Sequence, residues 1–381
     1  MKRLLFMSLL LTACQGGLSQ PSNPQPPTRT PEMLLEERSK EIITQYKLPS
    51  LSIVIARDSK ILTQATSGVR KYGSPEKVTL QDVHHLGSIS KSFTATLIAT
   101  YVENKKLSFN DTLKDLLPGM KMLKAYEDIT IDQLLSHRSG IVANLMEDES
   151  WWDGSIPLAT RKASFLKTLL QTPLEHDPGK AFEYSNAGYA LLAMIAEQVG
   201  KKPYEELLDL RIFKPLQMKN CSVGFTWDTS KVTQPWPHIL KNNLPSAIPP
   251  VYPTQENKTI AGNTEVINGA DNVRCPMSDL VRYLQDHLNG ENGKKGLLRP
   301  DTYRELHKDH HGDDYGYGWV VQQSPEGVVL GHDGSNTLNY ARMVLVPKSN
   351  LILFGATNIG SENAGTAIEA GMAEAVKLNT P

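Results

Sequence analysis

Leu86-Gly87-Ser88-Ile89-Ser90-Lys91-Ser92-Phe93-Thr94-Ala95 is the stretch on which the reading of this chain turns. The run from Ser88 to Asn104 carries an apolar helical face, and a serine and a lysine three apart at a helix start share one side of it. A hydroxyl is a poor nucleophile at neutral pH, but an amine whose charged form is disfavoured by desolvation or by neighbouring cations can take its proton. The helix N-terminus adds partial positive charge where an oxyanion would form. On its own the pattern has a plain alternative, a polar N-cap serine followed by a surface lysine, so other segments must decide.

Two do. Tyr184-Ser185-Asn186 lies in Pro178-Gly179-Lys180-Ala181-Phe182-Glu183-Tyr184-Ser185-Asn186-Ala187-Gly188-Tyr189, which reads as a turn leading into a helix. A tyrosine there can relay a proton between nucleophile and leaving group, and an asparagine amide can orient both a lysine and a substrate. His332-Asp333-Gly334 lies in Val328-Val329-Leu330-Gly331-His332-Asp333-Gly334-Ser335-Asn336, which reads as a strand. A glycine in it lets a substrate backbone approach closely.

In this order S-x-x-K, Y-x-N and H-x-G resemble the serine β-lactamase and penicillin-recognising hydrolase superfamily, in the branch holding class C β-lactamases, DD-carboxypeptidases and related esterases. Leu134-Leu135-Ser136-His137-Arg138-Ser139-Gly140-Ile141 and Tyr315-Gly316-Tyr317-Gly318-Trp319 are weaker matches between the motifs, and the likeness covers most of the chain. It implies Ser88 as the acylated nucleophile, Lys91 as its base, Tyr184 as proton relay and Asn186 as the contact to lysine and substrate. His332 and Gly334 would line the opposite wall. The oxyanion would sit between the backbone N–H groups of Ser88 and Ser335, donors aimed at charge that exists only in the transition state.

The third motif departs from the lactamases, which carry lysine where this chain has His332. A partly charged histidine grips a substrate carboxylate weakly and pH-dependently, and Asp333 would repel anions if it pointed inward. The resemblance therefore implies a DD-peptidase or D-amino-acid amide hydrolase first. A carboxylesterase, a β-lactamase, and a penicillin-binding or sensing module with little turnover follow as alternatives.

Other candidates have plainer readings. His307-Lys308-Asp309-His310-His311-Gly312-Asp313-Asp314 has the composition of a metal cluster without a ligand spacing to match, and reads as a solvated loop beside the cleft. His84 and His85 read as strand or packing residues, and Trp151-Trp152 as a ligand wall, lid or core pair. No G-x-S-x-G, H-E-x-x-H, G-x-x-x-x-G-K-[ST] or dinucleotide fingerprint occurs. The expectation is chemistry without metal or cofactor.

The N-terminus supplies an address. Lys2 and Arg3 precede an apolar run from Leu4 to Leu11, too short to span a bilayer. Leu11-Thr12-Ala13-Cys14 resembles a lipoprotein signal, implying removal of residues 1–13 and lipidation of Cys14. Residues 14–30 hold Pro21, Pro24, Pro26 and Pro27 and read as a flexible linker. The chain is thus expected in the bacterial cell envelope, lipid-anchored, on the outer membrane facing the periplasm. With 40 basic and 41 acidic side chains and no basic block, it offers nucleic acid no electrostatic footprint. The expected partners are a small-molecule or peptidoglycan-like substrate and a membrane reached through Cys14. Cys221 and Cys275 are expected as buried free thiols, since spacing alone cannot establish a bond. The sequence leaves the oligomeric state open.

Periodicity predicts a helix over Pro31–Tyr46, a hairpin of Leu51–Arg57 and Lys60–Val69 about Asp58-Ser59, and a helix-dominated middle. That middle holds helices near Thr130–Ser136, Ala159–Leu170, Ala187–Val199, Tyr204–Ile212 and Asp279–Leu288. The stretch from Phe225 to Asn272 reads as a long loop region. Strands return over Gly318–Gln322, Gly327–Leu330, Tyr340–Val346 and Asn350–Ala356, with a last helix over Asn363–Lys377. This is an α+β, β-lactamase-like organisation: an antiparallel sheet with flanking N- and C-terminal helices and a helical subdomain inserted between. The expected division is a sheet subdomain from residues 31–87 and 300–381, and a helical subdomain with cleft loops from residues 88–299.

Overall fold

The computed structural model describes residues 29–145, 148–224, 230–251, 262–325 and 327–380. The leader, Cys14 and all but the last two residues of the expected linker lie outside them. Helix α1 (Pro31–Tyr46) leads into β1 (Ser50–Arg57) and β2 (Lys60–Gly68). Asp58 and Ser59 between these strands take φ of +50° and +66°, the left-handed pair that a two-residue hairpin turn demands.

After β3 (His84–His85) the chain makes a 3-10 turn over Gly87–Ile89 and enters α2 (Ser90–Glu103). Helices α3 (Leu113–Leu116), α4 (Ile131–Leu135), α5 (Leu158–Leu169), α6 (Asn186–Gly200) and α7 (Tyr204–Leu208) follow. Thr130 caps α4 in a reciprocal capping box with Gln133. Ser185 caps α6, its Oγ accepting from Gly188 N at 2.8 Å. At the far end of α6 the left-handed residue is Lys201.

The short strands β4 (Ser222–Val223), β5 (His238–Lys241), β6 (Leu244–Ala247) and β7 (Val273–Cys275) precede α8 (Met277–Glu291) and α9 (Pro300–Leu306). The expected loop region over 225–272 thus contains a hairpin, β5 paired with β6. Its alternation is too brief to stand out from the prolines around it.

Strands β8 (Val320–Ser324), β9 (Gly327–Ser335), β10 (Tyr340–Val346) and β11 (Leu351–Thr357), then α10 (Ala364–Leu378), complete the chain. The main sheet runs β2-β1-β11-β10-β9-β8, antiparallel throughout. The organisation is the expected α+β one. β1 shows why it needs cover on both faces. Leu51, Ile53 and Ile55 pack with Leu35 and Ile42 of α1 and Ile368 and Met372 of α10. Val54 and Ala56 face the other way, into a core shared with α2 and the helical region. Each of the buried Leu, Ile, Val and Met side chains among them stabilises the fold by about 1.5–3 kcal/mol.

The expectation of two free thiols is overturned: Cys221 and Cys275 form a disulfide, with Cα atoms 4.3 Å apart. β4 and β7 pair antiparallel with Ser222 opposite Arg274 and Val223 opposite Val273, so the next step of the same register sets the two cysteines face to face. Closing a 54-residue separation contributes about 4 kcal/mol by restricting the unfolded chain. Cys275→Ala should lower the denaturant midpoint correspondingly, and an unchanged midpoint would show that the bond adds nothing.

Seven of the ten histidines, His84, His85, His137, His238, His287, His307 and His332, are buried. Burial pushes all seven below the ordinary histidine value, His84, His238 and His332 to about 4. Below about pH 6.5 the unfolded chain therefore binds protons that the native state does not, and stability falls with pH. The ceiling is about 1.4 kcal/mol per pH unit for each histidine still neutral. Asp271 and Asp286, whose carboxyls burial pushes up, offset part of this. Urea midpoints should drop steeply from pH 6.5 to 4.5, and a flat profile would show that these imidazoles are accessible.

Candidate active site

The 3-10 turn at Gly87–Ile89 decides the geometry around Ser88. With three residues per turn it stacks positions i and i+3, and it feeds directly into α2 with Lys91 second in that helix. Ser88 thus belongs to the turn before the helix, not to the helix's first turn as its periodicity predicts. Lys91 Nζ lies 3.1 Å from Ser88 Oγ. It lies 2.7 Å from Asn186 Oδ1 and 3.0 Å from the Ala270 carbonyl.

Two of these neighbours are acceptors only. A neutral amine has two N–H bonds and one lone pair, so it donates to both carbonyl oxygens and turns the lone pair to the serine O–H. The ammonium form fits the same three contacts with three donors. A base must be accommodated in both states, and this cage does so without rearrangement. Lys91 is fully buried, and that burial pulls its pKa down, with Asp271 pulling the other way.

Asn186 opens α6, and its orientation is fixed because Nδ2 donates to Asn144 Oδ1 at 2.8 Å. Tyr184 precedes it by two residues. Its ring lies 4.6 Å from Lys91 Nζ, and its hydroxyl bears on Ser88. Burial raises the phenol, and the Ser88 contact only partly opposes this. Tyr184 therefore keeps its proton at neutral pH and can donate it, while the amine is the group ready to accept one. His137 holds this segment: its Nδ1 accepts from Ser185 N at 3.0 Å, and its ring centroid is 4.3 Å from that of Tyr184.

β9 closes the site from the sheet side. At Gly87, with φ of +53°, a Cβ would fall 2.4 Å from Ser335 N. At Gly334 a Cβ would fall 1.8 Å from the Leu86 oxygen and 3.0 Å from Ser88 N. Strand and turn touch backbone to backbone, and only two glycines permit it. Gly334, Ser335 and Ser88 meet along this seam.

His332 departs from its expected role as a partly charged grip on carboxylates. Its Nδ1 lies 2.5 Å from the Asp333 carbonyl oxygen, which can only accept, so Nδ1 carries the proton and Nε2 accepts from the Tyr315 hydroxyl at 3.0 Å. Burial first, then Lys91, lowers its pKa to about 4, so it is neutral at physiological pH. Asp333 does not point inward. Strand alternation turns it to the opposite face, where Arg342 grips it bidentately at 2.6 and 2.8 Å and Tyr340 donates to it at 2.8 Å. Neither charge reaches the cleft wall.

The remaining candidates fall into supporting places. His307 is buried, its Nε2 2.9 Å from His287 Nδ1 and its Nδ1 2.8 Å from Glu291. Asp309 accepts four backbone N–H bonds from residues 311–314. Asp313 pairs with Arg138 at 2.6 and 3.0 Å, joining this loop to the segment after α4. Among the described residues no three His, Cys, Asp or Glu side chains gather to hold a metal. His85 lies in β3 and accepts from Gly87 N at 3.0 Å, bracing the turn before Ser88. Trp151 is a core residue, fully buried and edge-on to Phe165. Sequence reasoning missed Asn144, Tyr315, His137 as a brace and the Ala270 carbonyl. His137 and Tyr315 stood in quoted motifs without roles, and a backbone carbonyl leaves no sequence signal.

The Beta-lactamase family model matches residues 34–376. Protein flp of Staphylococcus aureus strain MW2 is 25% identical over 328 residues, covering 84% of this chain and 62% of the relative. This chain therefore spans under two thirds of that relative's length. Penicillin-binding protein 4 of Amycolatopsis lactamdurans is 24% identical over 343 residues, covering 85% of this chain and 84% of the relative. Among solved structures, an octameric penicillin-binding protein homologue from Pyrococcus abyssi superposes with a TM-score of 0.71 at 24% identity, covering 91% and 77% of the two chains. EstCE1, a hydrolase with promiscuous acyltransferase activity, gives 0.73 at 19% identity, covering 90% and 97%. At such identities the structural likenesses speak for the fold alone.

Gly334→Ala tests the seam, because the new methyl group must push β9 away from Leu86 and Ser88. The variant should lose about 10²-fold or more in fluorophosphonate labelling at Ser88, the size of effect for losing one backbone donor to a developing oxyanion. Wild-type acylation by a folded Gly334→Ala protein would show that the strand's distance from Ser88 is unimportant.

Proposed function

Because the chain belongs to the Beta-lactamase family, we propose that it is a serine hydrolase working through an acyl-enzyme on Ser88. The observation that carries this is the Lys91 cage, with one hydroxyl and two fixed carbonyl oxygens around one buried nitrogen. In the proposed cycle Ser88 Oγ bonds to the substrate carbonyl carbon as its proton passes to Lys91. The oxyanion gathers between the N–H groups of Ser88 and Ser335. Tyr184 gives its proton to the departing amine or alcohol and regains one from Lys91. Water then attacks the acyl group and restores the serine. Asn186 holds the amine and offers its amide edge to substrate, while His332 and Gly334 form the facing wall.

For the substrate class we favour a D-amino-acid amide or peptide of the peptidoglycan type, the reading nearest a DD-peptidase. The name of the Amycolatopsis relative supports it. The wall refines it. Neutral His332 offers no cation, so an internal amide fits better than a free terminal carboxylate or a β-lactam. The same uncharged wall favours a carboxylesterase as second reading. The address belongs to the proposal too: a leader of residues 1–13, lipidated Cys14 and a linker would hold the enzyme at the envelope, with the membrane as its standing partner. No helix among the described residues is long and apolar enough to cross a membrane.

Intact-mass measurement after exposure to a fluorophosphonate, a penicillin, a D-alanyl amide peptide and a short ester tests the reading. A stable fluorophosphonate adduct on the wild type, absent from Ser88→Ala, is expected, with the amide peptide turned over faster than the penicillin. Labelling that survives in Ser88→Ala removes Ser88 as nucleophile. Turnover of the ester alone moves the assignment to the second reading.

A further inference from the structure

The segment from Gly269 to Val273 is stitched to one side of α2. Thr94 Oγ1 donates to the Gly269 oxygen at 2.6 Å, Lys91 Nζ to the Ala270 oxygen at 3.0 Å, and Val273 N to Ser90 Oγ at 3.0 Å. Between these fixed points stands Asp271, directly after the carbonyl that holds the base. Its side chain is 3% exposed. Oδ2 accepts from Asn263 Nδ2 at 2.9 Å and lies 3.7 Å from His85 Nε2. Oδ1 is buried without a hydrogen-bond partner among the described residues. A carboxylate sealed from water with one oxygen unpaired is a costly arrangement to keep, and no packing requirement explains it. We propose that Asp271 is a positioning residue that acts through Lys91, its charge setting the pH at which the amine becomes free to deprotonate Ser88.

This rests on the acyl-enzyme reading above and deepens it. The charges around the pair come from several elements. Asp271 faces Lys91 from α2, Arg274 from its own strand and His85 from β3. Lys91 faces Asp271, Tyr184, His137 and His332. Burial holds His85, His137 and His332 below the ordinary histidine value, and Tyr184 keeps its proton. The charges that respond to pH around neutrality are therefore those of Lys91 and Asp271, while Arg274 stays cationic. Burial drives the lysine down and the carboxyl up, and each opposes the shift of the other. Their protons come off as a pair, and the acid limb of acylation belongs to both.

The sign follows directly. An ionised Asp271 favours the ammonium, so removing that charge lowers the Lys91 pKa, and more free amine is present at any given acidic pH. An opposite charge close by shifts a titration by about 1–3 units. Asp271→Asn keeps shape and a partner for Asn263 but has no charge. Its acid limb should move down by at least about one pH unit, giving roughly tenfold faster Ser88 acylation than wild type on the acidic side of the wild-type midpoint. Asn263→Ala leaves Asp271 in place and removes its side-chain donor. The carboxyl is then harder to ionise, and the limb should move in the same direction by less.

The experiment measures phosphonylation of Ser88 by a fluorophosphonate, with loss of fluoride, by intact mass from pH 4.5 to 9 for wild type, Asp271→Asn and Asn263→Ala, with Ser88→Ala as control. A midpoint moved to lower pH in either variant supports the proposal, whereas an upward move, or a change in amplitude or thermal stability without one, overturns it. Midpoints that coincide with wild type in the folded variants overturn it while leaving the acyl-enzyme reading intact. Absence of Ser88-dependent labelling in the wild type overturns that reading, and this inference with it.

Discussion

The structure depends on keeping one lysine nitrogen out of water while leaving it something to do. A fully buried amine is costly unless its hydrogens are satisfied. Lys91 is satisfied by Asn186 from α6, by Ala270 from the segment before β7 and by Ser88 from its own turn. Three distant parts of the chain must therefore be in register before the site exists. α6 is held to α4 by Tyr189, whose hydroxyl donates to the Leu135 oxygen at 2.7 Å. The Gly269–Val273 segment is held to α2 by Thr94 and Ser90. The core beneath joins the sheet's inner face to the helices as one cluster, so Lys91 and Ser88 are positioned by the same packing that folds the protein.

Burial also decides which groups carry charge in the cleft. Desolvation lowers Lys91 and raises Tyr184, so one accepts a proton and the other keeps its own. On the facing strand it silences His332, while strand alternation hands Asp333 to Arg342 on the outer face. Among the described residues the site's mobile charges lie around one amine, facing a wall that orients by shape and hydrogen bonding. This is why the substrate reading moves away from ligands that must present a carboxylate to β9.

Much of the architecture was legible in the chain, because period and punctuation act locally. Pro31–Tyr46 is helical over the span its apolar spacing predicts, and Asp58-Ser59 turns between β1 and β2. Thr130 and Ser185 cap the helices they precede. The three motifs meet because each lies where an element begins or ends: Ser88 before α2, Asn186 at the start of α6, His332 near the end of β9. What could not be read was anything dependent on a neighbour from elsewhere in the chain. The β5–β6 hairpin is too short for its alternation to show, and Cys221 meets Cys275 only because β4 and β7 pair.

By itself, then, the sequence determined an α+β fold and a serine three residues from a lysine, since both follow from periods of 3.6 and 2 and from residues close along the chain. Tertiary structure alone decided the electrical state of the site. Whether His332 is charged, where Asp333 points, what holds Lys91 and what stands beside it are matters of burial and of contacts between residues many positions apart, such as Lys91 with Asn186 and Ala270. Desolvation acts on a group only once the rest of the chain has closed around it, and no local pattern of residues encodes that closure.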